Sequence, residues 1–401
     1  MLRFYFGLSI LFLSHNTLVS QEKGKLFSAF EKLDKNGDGL VSKEEASISD
    51  QPLRWIDDAD KDGNGLSLEE AKSWFSENRR GALSGTEEKR VEIIGEFPEG
   101  APVSAASCRD AAEYSAGANG LSTLIQVGET IVFEAYEEGL SPETAHRLAS
   151  GTKSFSGALL ALAVKDGLLE LDEPVSNTIT EWKDDSSLSR VTIRQLLSLT
   201  SGINPGDNGN VPTYGEAIKA ESVSFPGESF AYGPAPFQIF GELLTRKLQA
   251  SDELSFGDPL EYMKDRVFDP IGFRYEFWRR DRDGKPHLPS GAFLTAREWV
   301  KYGELLIHDG VWKGTAILDK DTLQECRVGS SANGTYGLTF WLLDPNPDSE
   351  VPAWRRGGYM AAGAGKQRLY VLPAVGVLAV RQGEGGAYED DEFLERLFKD
   401  Q

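Results

Sequence analysis

HRLASGTKSFSGALLALAVKDGLLELD, residues 146–172, is the stretch that decides how the rest of the chain is read. Ser150 and Lys153 stand three apart in a Ser-x-x-Lys tetrad, and an almost unbroken apolar run follows from Phe155 to Val164. On a helix, residues three apart share a face, so the lysine would lie beside the serine one turn on. A serine hydroxyl is a weak nucleophile until a neighbouring base takes its proton, and lysine serves only where its surroundings keep it neutral. Apolar residues all round the following helix supply that surrounding, because such a helix is buried on most sides. Taken alone, the spacing is also compatible with chance.

Working outward, the 401 residues leave room for two or three domains. Acidic residues number 63 against 42 basic ones, a net charge of -21, which disfavours nucleic acid as a partner and suits a self-repelling surface. Residues 1–20 combine Arg3, an apolar run from Phe4 to Leu13 and a small residue at Ser20. The run is too short to span a bilayer and is followed by His15 and Asn16, so it reads as a signal peptide, implying export to a periplasmic or extracellular compartment and no membrane span in the mature chain. In such a compartment Cys108 and Cys326 either pair or remain two buried thiols, and spacing leaves both open.

Between the leader and about residue 80 lie two acidic loops. In the first, Asp34, Asn36 and Asp38 alternate, Gly39 follows and Glu45 closes, the pattern D-x-[DN]-x-[DN]-G-x5-E. Ca²⁺ takes six to eight oxygens, so a short loop must aim several side chains inward, with Leu40 contributing its backbone carbonyl and Val41 pairing with a partner loop. The second, Asp60 to Glu70, carries Asp60, Asp62 and Asn64 in place but is one residue short, so Glu70 would close a contracted loop. Residues 21–80 thus resemble an all-α EF-hand pair, and calcium is the expected cofactor. From 81 to 104 the chain is charged, with Gly and Pro and no periodic apolar face, and reads as a linker. A short helix near Cys108 and a hairpin from Leu121 to Tyr136, turning at Gly128 and Glu129, open the domain 105–401.

Strand, turn, strand, Ser-x-x-Lys and buried helix, in that order, resemble the serine β-lactamases and penicillin-recognising enzymes, within them the class C β-lactamase and esterase branch. The resemblance continues through VTIRQLLSLTSGI (191–203), PGESFAYGPAPFQIFGELLTRKL (226–248), PSGAFLTAREWVKYGELLIHDGVWKG (289–314) and YGLTFWLL (336–343). It implies an α+β fold: an antiparallel sheet built from both chain ends, flanking helices and a helical subdomain. It also implies that Ser150 is acylated, that Lys153 is its base or electrostatic partner, and that Tyr232 relays a proton to the leaving group. A tyrosine of ordinary pKa, about 10, would need a neighbouring ammonium to ionise, and Lys153 is the candidate.

Two departures bear on the substrate. Pro234 replaces the asparagine of the family's Tyr-x-Asn motif, and AAGAGKQ (361–367) replaces its Lys-Thr-Gly or His-x-Gly triplet. In that segment the backbone N–H of Lys366 is expected to form an oxyanion hole with that of Ser150. Both changes favour a small-molecule ester or amide over a β-lactam. The alternatives are a β-lactamase or penicillin-recognising D-amino-acid peptidase, and a calcium-organised binding protein on a decayed hydrolase fold. Trp278, Trp341 and Trp354 are candidates for the cleft wall, and Arg279, Arg280, Arg355 and Arg356 for a substrate carboxylate; core and solvated surface are their ordinary places. His146, His287 and His308 show no zinc spacing, and no Gly-x-Ser-x-Gly elbow occurs.

Overall fold

The computed structural model describes residues 40–42, 60, 65–67, 70, 90–346 and 350–400. The chain divides into two compact units, Met1–Thr86 and Glu87–Gln401. Of the first unit, two short strands are described, β1 (Leu40–Val41) and β2 (Leu66–Ser67), paired antiparallel with Val41 opposite Leu66. Both of these apolar side chains are fully buried. The signal-peptide segment and the proposed ligands Asp34, Asn36, Asp38, Glu45, Asp62 and Asn64 lie outside the described residues.

The second unit is built on a seven-stranded antiparallel sheet. Its strands are β3 (Val91–Ile94), β4 (Gly120–Val127), β5 (Thr130–Tyr136), β11 (Trp341–Leu342), β12 (Tyr359–Gly363), β13 (Gln367–Leu372) and β14 (Val377–Gly383), in the spatial order β11-β12-β13-β14-β4-β5-β3. The two ends of the domain therefore meet at β14 against β4. Period-two alternation sends neighbouring residues to opposite faces: Leu124, Leu369, Val371, Leu378 and Val380 enter one apolar cluster, Ile125, Tyr370, Leu372, Val377 and Ala379 the other. The second face is covered by α1 (Ala105–Gly117) and the terminal helix α5 (Asp390–Leu397). Ser104 starts α1 with a capping box shared with Ser107, which satisfies two otherwise orphaned N–H groups.

The first face carries α2 (Ser154–Lys165), α3 (Ala235–Ala250) and α4 (Ala296–Ile307), with shorter helical turns between α2 and α3. In α2 every residue from Ser154 to Ala163 is buried, as its largely apolar sequence, broken only by small serines over that span, allows. Two small sheets complete the domain: β6 (His146–Arg147), β7 (Phe277–Trp278) and β8 (Ala292–Leu294) in the order β6-β8-β7, and the hairpin of β9 (Val311–Trp312) with β10 (Thr315–Ala316).

One expectation changes, and one open alternative closes. Residues 81–104 contain β3, which pairs with β5 and forms the sheet edge. All four of its residues are exposed, so the segment lacks the apolar alternation by which a half-buried strand is read from sequence. Cys108 and Cys326 are both free and lie in clusters on opposite faces of the sheet, where burial pushes each thiol up to about 12.

Candidate active site

Ser150 lies on a 3-10 turn, Ala149–Lys153, that runs directly into α2. Three residues per turn place positions i and i+3 one above the other, which aligns Lys153 with Ser150 more closely than an α-helix would. The turn is entered through Ala149 at φ 47°, a left-handed conformation unusual for a residue with a side chain. Lys153 is 2% exposed; its Nζ donates to Ser150 Oγ at 3.2 Å and to the carbonyl of Pro289 at 3.1 Å. It also faces the rings of Tyr232 and Phe237, 4.9 and 5.3 Å from their centroids. Burial pulls the ammonium down from 10.5 to about 7, so near neutral pH a substantial fraction is free amine able to accept the serine proton.

Tyr232 precedes α3, on the aromatic side of the site with Phe230, Tyr336 and Trp341. Its hydroxyl is pushed up by burial, an effect opposed by hydrogen bonding to Ser150 and by the charge of Arg368. Of the two forms open to the relay, phenolate or phenol, burial therefore favours the phenol. The lysine is the group that burial leaves available as a free amine. Lys153 meets the face of the tyrosine ring and directs its hydrogen bonds to Ser150 and Pro289.

These groups open on a cleft of about 480 Å³ lined by Ser150, Asn208, Tyr232, Trp341, Met360, Ala362, Gly363, Ala364 and Arg368. Strand β12 forms one wall, and Gly363 presses on the nucleophile turn so closely that a Cβ there would lie 2.0 Å from the Leu148 carbonyl and 2.9 Å from Gly151 N. Only glycine fits. Lys366 does not line the cleft. The ladder ends with Gly363 opposite Gln367, so Ala364, Gly365 and Lys366 form the hairpin tip, with Lys366 at φ 60° and its ammonium 3.9 Å from Glu389. Of the three tip residues, Ala364 is the one that lines the cleft, continuing the wall of Ala362 and Gly363.

Of the three tryptophans considered for the cleft wall, Trp341 lines it, whereas Trp278 and Trp354 are buried in the two cores. None of Arg279, Arg280, Arg355 and Arg356 reaches it; Arg280 pairs with Asp258 and Arg355 with Asp391. Arg368 and Asn208 do, and sequence reading named neither. Asn208 sits in the loop after Ile203, which is held against the substituted proline: the Pro205 carbonyl accepts from Ala235 N at 3.0 Å, and Gly206 packs on Pro234.

The profile of the Beta-lactamase family matches residues 94–383, most of the chain and all of the cleft. This chain belongs to the beta-lactamase family. A curated relative, an uncharacterised protein of Alkalihalophilus pseudofirmus, is 22% identical over 299 residues, covering 66% of this chain and 83% of its own. Among solved structures, a Bacillus anthracis protein named as a candidate 6-aminohexanoate-dimer hydrolase superposes with TM-score 0.61 at 16% identity, covering 78% of this chain and 90% of that one. A hydrolase described as having promiscuous acyltransferase activity gives 0.59 at 15%, covering 74% and 97%. At such identities the likeness is one of fold, that of the serine hydrolases grouped with β-lactamases, penicillin-binding-protein homologues and esterases.

Proposed function

We propose that this chain is an exported serine hydrolase that cleaves an ester or small amide through an acyl-enzyme on Ser150. The observation that carries the reading is the buried Lys153, 3.2 Å from Ser150 Oγ and lowered to about 7, at the floor of an open cleft. The amine of Lys153 takes the Ser150 proton as Oγ bonds to the substrate carbonyl carbon. The carbonyl electron pair moves onto oxygen, where the N–H groups of Ser150 and Ala364 receive it. When the pair returns, the bond to the leaving group breaks, and the Lys153 ammonium gives its proton to the departing oxygen or nitrogen beside the Tyr232 hydroxyl, which is hydrogen-bonded to Ser150. Water then attacks the acyl-enzyme by the same route, releasing the acid and restoring Ser150 and Lys153.

An ester or amide is favoured over a β-lactam because Arg368, the one cation lining the cleft among the described residues, is already engaged by Asp390 and backbone carbonyls. Turnover of a short-chain nitrophenyl ester by the wild type, with loss in Ser150→Ala, is the expected result; equal rates would remove the mechanism. Nitrocefin turnover matching ester turnover would instead favour the β-lactamase reading.

Calcium is proposed for the first unit. The antiparallel pairing of Val41 with Leu66 is of the kind that two EF-hand loops make, which supports the reading. Asp60 accepts from Gly65 N at 3.2 Å, and the Glu70 carboxylate is held by Ser67 N and Oγ at 3.0 and 2.7 Å. Leu40, Asp60 and Glu70 are the described residues that would hold the ion. Isothermal titration with Ca²⁺ should show binding that weakens in Glu45→Gln.

A further inference from the structure

The cleft contains one charged group that the chemistry above leaves without a part. Arg368 is 8% exposed and lines the cleft with Ser150. Its Nε and Nη2 hold the two oxygens of Asp390 at 2.6 and 3.1 Å, while Nη1 donates to the carbonyls of Gln367 at 3.0 Å and Gly363 at 3.4 Å. Asp390 also accepts from Tyr370 Oη at 2.5 Å, and Tyr370 is hydrogen-bonded to Tyr388 at 2.7 Å. A buried ion pair of this kind is weak evidence for stability, because desolvation offsets much of the attraction. Its placement is the informative part.

Along β12 the backbone groups alternate in direction. Leu343 N donates to the Gly358 carbonyl, so even-numbered residues turn their N–H and C=O toward β11 and, past its end, toward the cleft; odd-numbered residues turn theirs toward β13. The Gly363 carbonyl therefore faces Arg368. The N–H of Ala364 belongs to the same planar peptide unit and points the opposite way, toward the Ser150 side.

We propose that Arg368 is a positioning residue that fixes and polarises the Gly363–Ala364 peptide, so that the Ala364 N–H meets the substrate carbonyl oxygen and binds it more strongly as negative charge develops. The proposal rests on the acyl-enzyme reading. Asp390, Tyr370 and Tyr388 anchor the guanidinium from behind, and a positive charge on the carbonyl end of a peptide strengthens the donor at its other end.

The test compares Arg368→Gln with the double variant Arg368→Gln/Asp390→Asn, which leaves no unpaired buried carboxylate and so separates loss of folding from loss of function. Steady-state turnover of a nitrophenyl ester, affinity for a phenylboronic acid that mimics the tetrahedral intermediate, and thermal unfolding are measured for each. The expected outcome is a kcat lower by roughly tenfold to a hundredfold, somewhat less than removal of an oxyanion donor outright, with boronic-acid affinity falling in step and KM little changed. A double variant that unfolds like the wild type and retains both kcat and boronic-acid affinity would overturn the proposal and leave Arg368 as an ion-pair staple between β13 and α5. A wild type that a fluorophosphonate fails to label at Ser150 overturns the acyl-enzyme reading itself, a result visible before any Arg368 variant is made.

Discussion

At the residue scale the decisive quantity is the proton on Lys153. Its amine must be neutral to accept from Ser150, so kcat/KM for an ester should rise with pH through about 7 and level off above it; a profile flat from pH 5 to 9 would rule out the lysine as base. The same displacement has a stability consequence of defined sign. With the lysine at about 7 folded and 10.5 unfolded, the unfolded chain binds more protons between those values, so stability rises with pH across that window and the buried lysine costs most below it. Lys153→Met should therefore abolish activity, by 10² or more on the usual scale of general-base removal, yet raise the thermal midpoint at pH 7, with the gain closing toward pH 10.5. Ser150 and Lys153 stand out in the sequence because they lie within one turn, but it is the resemblance of the segments around them that points to a catalytic pair, and Tyr232 is reached through that resemblance alone. Arg368 and Asn208 were not legible in the sequence, because a strand and a loop distant in sequence bring them to the cleft and no spacing connects them to Ser150.

At the element scale the hairpin of β12 and β13 shows what spacing alone cannot resolve. The segment AAGAGKQ stands where the family has its third motif, with Lys366 expected at the oxyanion hole, but which of its residues faces the cleft depends on strand register, and a shift of one residue exchanges every inward group for an outward one. The ladder ending at Gly363 and Gln367 sends Lys366 to the tip and leaves Ala364 on the site. The close approach of Gly363 to Leu148 makes this wall intolerant of a single methyl group. Gly363→Ala puts a carbon 2.0 Å from a carbonyl oxygen and must push β12 off the nucleophile turn. The expected outcome is a loss of stability of about 1–3 kcal/mol on the overpacking scale, seen as a lowered thermal midpoint, together with a loss of kcat larger than that loss of stability explains. Alanine there with wild-type turnover would show that the wall is not held by this contact.

At the scale of the whole molecule, division at Thr86 and Glu87 locates the start of the hydrolase domain, and composition misplaced it. Charge, Gly and Pro made residues 81–104 look like a tether throughout, since an exposed edge strand buries too little apolar surface to imprint a pattern. Yet β3 covers the open backbone of β5 from Val91 opposite Tyr136 to Ile94 opposite Phe133. Removing it exposes the unpaired edge of a strand whose Val132, Phe133 and Ala135 are core residues. Two truncations separate the readings. A fragment of residues 87–401 should fold, turn over the nitrophenyl ester as the full chain does and show no response to Ca²⁺; a fragment of residues 105–401 should unfold at lower temperature and aggregate more readily. In the full chain, calcium at a hundredfold excess over its dissociation constant should stabilise only the unit that binds it, by about 2.7 kcal/mol, appearing as a transition absent from the 87–401 fragment and lost with Glu45→Gln. A calcium-dependent shift that persists in the 87–401 fragment would place the ion in the hydrolase domain and remove the EF-hand assignment, while equal stability of the two fragments would return residues 91–94 to the linker.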